Sequence, residues 1–125
     1  MSDYSEWMKI AKRDLRSAHK LNDGEDTSDV CYHCQQAAEK AVKSLIVLYG
    51  SQGGMPKKHD IFLLLNQIRN MVNIDEKFYD YADILSPYGV AMRYPNELVL
   101  EERHAERALA MADEFVRWAE DSLKG

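Results

Sequence analysis

Apolar residues recur along this chain at intervals of three and four, the period of an amphipathic helix. No stretch of useful length alternates as a half-buried strand does. The first stripe, Trp7, Ala11, Leu15 and Ala18, predicts a helix from about Ser5 to Leu21, with Lys9, Lys12, Arg13 and Arg16 outside it. Asn22-Asp23-Gly24 is its stop signal. Thr27, Ser28 and Asp29 offer a cap and early negative charge to a second helix that runs to about Tyr49 and stops at Gly50. Its stripe is Val30, Cys34, Ala37, Ala41, Leu45 and Leu48, and the small residues in the middle admit a close neighbour. The glycines and proline of Ser51 to Pro56 read as a loop.

A third helix is expected from about His59 or Asp60 to Val72, led by Ile61, Leu64, Leu65 and Ile68. A fourth carries Phe78, Tyr81, Ala82 and Leu85, and Pro87 disturbs its end. Tyr88 to Leu98 has no clear period, and Pro95 favours an extended Tyr94. The last helix, from about Leu100 to Leu123, has the stripe Ala105, Ala108, Leu109, Ala112, Phe115, Val116 and Ala119. Short connections make successive helices pack antiparallel. The expected fold is therefore all-α, an up-and-down bundle of four to five helices in one domain over residues 1–125.

Composition narrows the class. A chain of 125 residues that is 46% hydrophobic can bury a core without staples and is not disordered. A net charge of −5 disfavours a general nucleic-acid coating protein but leaves room for a small basic cleft. No apolar run approaches the ~20 residues of a membrane span, and the N-terminus lacks the basic-then-apolar order of a secretory leader. A cytoplasmic protein with no membrane contact is expected.

The candidate chemistry is sparse. Cys31 and Cys34 have the spacing of a redox pair or half a zinc site, but no strand precedes them and no second pair exists. Two small packing residues are the expectation. The helix around them is unusually polar: Gln36, Lys40 and Lys43 share one face, and Gln35 and Glu39 a neighbouring one. A solvated face with incidental pairs competes here with a recognition surface. His59-Asp60, after Lys57-Lys58, is either a helix cap or a ligand-facing imidazole beside two lysines. Arg93-Tyr94-Pro95 sets a guanidinium beside an aromatic, an arrangement suited to a phosphate or a stacked base, or to helix-end carbonyls. Arg103-His104 reads equally as an exposed pair on the last helix. There is no glycine-rich phosphate loop, paired-histidine metal motif or nucleophile elbow, so no cofactor or metal is expected.

Taken in order, these residues resemble a known family. Trp7…Ala11…Asp14-Leu15…Ala18 is followed by Tyr32-His33-Cys34-Gln35-Gln36-Ala37-Ala38-Glu39-Lys40-Ala41-Val42-Lys43, then His59-Asp60-Ile61, then Arg93-Tyr94-Pro95 before a long helix. From about Trp7 to Trp118 the chain is similar to HEPN-domain proteins, and Gln-Gln-Ala-Ala-Glu-Lys is the most specific part. The resemblance implies a helical bundle that forms a homodimer. It also implies a minimal nucleotidyltransferase as partner, the two acting as a toxin–antitoxin pair. Many members are metal-independent endoribonucleases whose arginine is followed four to six residues later by histidine. Arg93 fits the arginine, but Glu97 to Leu100 follow it, and His104 lies further on. Arginine cannot serve as the base that such cleavage needs. Three expectations result. The first is a module binding a nucleotide or RNA phosphate through Arg93, Lys40 and Lys43, with Tyr94 stacking and His59 as an edge donor. The second is an endoribonuclease toxin using Arg93 with a relocated base, His33, His59 or His104. The third is a helical interaction domain without a ligand.

Overall fold

The computed structural model describes residues 3–50, 60–91 and 100–125. Six helices are present among them: α1 Tyr4–Leu21, α2 Thr27–Tyr49, α3 Ile61–Ile68, α4 Lys77–Leu85, the single turn α5 Tyr88–Ala91, and α6 Glu102–Leu123. No strand occurs among the described residues, and the all-α bundle expected from the periodicity is what forms.

Local chemistry sets the ends. Asp3 caps α1 by accepting from the Glu6 amide at 3.0 Å. Gly50 closes α2 at φ 74°, a conformation that costs a residue with a Cβ but not glycine. The cap of α3 is Asp60, whose side chain accepts from the Phe62 amide. This helix is shorter than expected: it ends at Ile68 and the chain continues in turns, with the Met71 and Val72 amides both on the Ile68 carbonyl. In α6 the His104 side chain accepts from the Glu101 amide and forms a capping box.

α2 is the hub and touches every other described helix. α1 runs antiparallel to it, as the pairs Asp14–His33 and Trp7–Lys43 require. α1 is also antiparallel to α6, through Lys12–Glu120 and His19–Asp113, so α2 and α6 lie side by side in the same direction. Helices this close need small residues between them. Cys34, Ala37, Ala38 and Ala41 of α2 and Ala108 and Ala112 of α6 have no exposed surface. Phe115 fills the centre, packed on Phe78 at 4.9 Å between ring centroids, and Phe78 stacks on Trp118.

The expected stripes of α3 and α6 are buried in full. In α1 Trp7 and Leu15 are only half-buried and Met8 joins the core instead. In α2 Leu48 is exposed. The core of α2 extends well beyond its expected stripe, because partners surround the helix and its polar residues are enclosed as well.

A polar ladder on the second helix

Gln35, Glu39 and Lys43 follow one another at intervals of four, so they rise along a single line of α2. That line points inward. Gln35 and Glu39 are sealed from solvent, and the Lys43 side chain is 8% exposed. A solvated face, one of the two readings of these residues, is therefore ruled out for this line. Burial of two charges and an amide is tolerated only with partners. Lys43 Nζ donates to Glu39 Oε2 at 3.0 Å and lies 5.4 Å from the Trp7 ring centroid. Gln35 Nε2 donates to Glu39 Oε1 at 3.0 Å.

The row continues to the surface. Gln36 Nε2 donates to Gln35 Oε1 at 2.7 Å, and Lys40 Nζ donates to Gln36 Oε1 at 2.7 Å. Lys40 also lies 3.9 Å from Asp14 of α1, and its side chain is 19% exposed. The other oxygen of Asp14 accepts from His33 Nδ1 at 3.0 Å. The carboxylate fixes the proton on Nδ1 and leaves Nε2 of the neutral ring as an acceptor. One polar path thus joins a half-exposed imidazole and ammonium to a buried ion pair.

The turn α5 closes over this path. A Cβ placed on Gly89 would sit 2.7 Å from both Cδ and Oε1 of Gln35, so a larger residue there has to displace the Gln35 amide. Gly89 stands four residues before Arg93 in the chain.

The expected site residues divide as follows. Lys40 is at the surface end of the ladder. Lys43, expected beside it at a phosphate, is turned inward onto Glu39. His104 has its Nδ1 engaged by the Glu101 amide, and Arg103 pairs with Glu101 at 3.2 Å, which agrees with the reading of an exposed helix-end pair. His59, Arg93 and Tyr94 lie outside the described residues. The Asp14–His33 contact escaped the sequence reading because its halves are nineteen residues apart. The shared face of Gln35 and Glu39 is legible in the sequence; their burial is not.

Cys31 and Cys34 are free and fully buried, as packing residues should be. Burial pushes the Cys31 thiol up to about 11 and raises Cys34 further. Among the described residues no cluster of histidine, cysteine and carboxylates could hold a metal. Neither thiol should react with an aromatic disulfide reagent at pH 8 in the native protein, and both should react in denaturant. Stoichiometric labelling of the folded protein within minutes would contradict the packing role.

A separate cleft of about 630 Å³ opens where α2 and α6 end, lined by Tyr49, Met71, Asn73, Lys77, Glu114 and Trp118 among others. Several of its polar groups pair with one another. Hydrogen bonds from Lys77 and then Tyr81 hold the Glu114 carboxyl below its usual range, and Trp118 Nε1 donates to the Asn73 carbonyl. None of its described lining residues was a sequence candidate.

Among the described residues no helix is long and apolar enough to cross a membrane. No curated protein matches the chain. Solved structures do. The TT1696 protein of Thermus thermophilus is 27% identical, with a TM-score of 0.87 over 98% of this chain and 99% of that one. An archaeal HEPN homologue, ST0689, is 27% identical at a TM-score of 0.77, covering 97% of this chain and 98% of the other. A HEPN domain protein of Thermotoga maritima is 27% identical at 0.76, covering 95% and 98%. Residues 4–122 match the family model for the HEPN domain, and the chain belongs to that family.

Proposed function

We propose that this HEPN protein is a homodimeric module that binds the phosphate of a nucleotide or RNA and works beside a minimal nucleotidyltransferase in a two-component, toxin–antitoxin type system. The observation that carries the reading is the contact of Gly89 with Gln35. It brings the polar ladder of α2 against the turn that leads, four residues on, to Arg93. The support is that α5 touches the ladder and that Arg93 follows α5 closely in sequence. Lys40 and Arg93 supply the phosphate contacts, Tyr94 a stacking face and His59 an edge donor. Lys43 acts from below by holding Glu39, and through it Gln35, in place.

Titration calorimetry of the purified protein with ATP, GTP and a short RNA tests this. Arg93→Ala and Lys40→Ala should each weaken binding about tenfold, the scale of one charge-assisted contact. Absence of binding at millimolar ligand, with Arg93→Ala indistinguishable from the parent, would overturn the reading.

The Asp14–His33 pair favours a second reading, an endoribonuclease with a relocated base. A carboxylate that fixes the proton on Nδ1 leaves Nε2 able to take one from a 2′-hydroxyl. The same RNA titrations, run on a gel for shortened products, separate cleavage from binding alone.

A further inference from the structure

α1 is positively charged within a negatively charged protein. It carries Lys9, Lys12, Arg13, Arg16 and Lys20 against two carboxylates, Glu6 and Asp14, whereas the whole chain is at −5. Four of these cations follow the spacing four, three, four: Lys9, Arg13, Arg16 and Lys20. At 100° per residue they fall within an arc of about 60°, and at 1.5 Å per residue they span about 16 Å. That arc lies opposite the buried Ala11 and Ala18, and all four residues are exposed.

An ordinary solvent-facing surface mixes signs, because like charges three and four residues apart destabilise a helix. The outer face of α6 is mixed in this way, with Glu102, Arg103, Glu106 and Arg107 in succession. On α1 Asp14 falls elsewhere, and Glu6 stands in the first turn at the edge of the arc, about 20° beyond Arg13. Asp14 turns to α2, and none of the four stripe cations forms an ion pair among the described residues. Beside the stripe runs a groove between α1 and α6 of about 320 Å³, of mixed charge, lined by Lys12, Arg16 and Arg117 together with Asp113 and Glu120.

We propose that the outward face of α1 is a docking track for the backbone of single-stranded RNA, with phosphates paired along Lys9, Arg13, Arg16 and Lys20. Neighbouring cations stand about 4.5–6 Å apart along the axis, the scale on which an extended strand repeats its charges. The stripe offers charge on long flexible stems and no aromatic anchor. That suits sequence-independent backbone contact and not the desolvated apolar centre of a protein interface. The proposal rests on RNA being a ligand of this protein. It adds a surface that a free nucleotide is too short to use.

The test is a salt titration of fluorescent oligouridine of twelve nucleotides, by anisotropy, with ATP binding measured in parallel. A variant with Lys9→Gln, Arg13→Gln, Arg16→Gln and Lys20→Gln should bind the oligomer at least tenfold more weakly at low salt. Its log K against log salt should flatten by about 2–3, the value for four released contacts on a single strand. ATP affinity should stay unchanged. A charge-matched control with Arg69→Gln, Arg103→Gln, Arg107→Gln and Lys124→Gln should keep the parental slope. An unaltered slope in the stripe variant, or equal slopes in both variants, overturns the track. So does a stripe variant that keeps RNA binding but loses an acidic protein partner. RNA binding absent from the parent while ATP still binds overturns the track and leaves the phosphate-binding reading standing. Loss of both ligands in the parent overturns both.

Discussion

Glu39→Ala is expected to lower stability by about 3–5 kcal/mol, the cost of leaving a buried charge without its partner. Glu39 receives the Lys43 ammonium on one oxygen and the Gln35 amide on the other, and neither donor has an easy route to water. The Trp7 ring beside Lys43 offsets only a part, because a cation over an aromatic is worth about 0.5–2 kcal/mol. In a domain of this size such a loss lowers the melting temperature by roughly 10–20 °C. Lys43→Met in the same background removes the stranded charge, so the double variant should be more stable than Glu39→Ala alone. Denaturant unfolding of the three variants measures this. A loss below about 1 kcal/mol for Glu39→Ala would show that the pair is solvated and that the ladder is not a buried structure.

Gly89→Ala should be destabilising by about 1–3 kcal/mol, the usual range for overfilling a packed site. Helix propensity alone gives the opposite sign, since alanine is favoured over glycine in a helix by about 1 kcal/mol. The sign therefore reports the contact. The added methyl would fall 2.7 Å from Gln35, whose amide is tied to Glu39 and Gln36 and cannot swing aside without breaking those bonds. Either α5 lifts or the ladder breaks, and both should also weaken nucleotide binding. A neutral or stabilising Gly89→Ala in thermal melts would reject the close approach.

How much of this was legible in the sequence depended on how many neighbours each helix has. α3 and α6 each bury one face, and their 3.6-residue stripes could be read residue by residue, from Ile61 to Ile68 and from Ala105 to Ala119. α2 has neighbours on several sides, so its pattern spreads around the axis and Leu48 was wrongly counted inside. The same enclosure made Gln35 and Glu39 look like surface residues, because polarity is read as exposure unless a partner is visible. Lys43 carried the partner in its spacing, four residues from Glu39. His33 carried none, since Asp14 is brought to it only by the antiparallel return of α2 along α1. Of the candidate site, Lys40 is where a ligand can reach it, and His104 serves its helix end.

The hub position of α2 has a consequence for cooperativity. Every other described helix rests on it, so removing any one of them uncovers part of its apolar surface. Partial opening is then costly from whichever side it begins. The bundle should behave as one foldon, with the amides in the middle of α2 protected up to the free energy of global unfolding and the chain ends fraying independently.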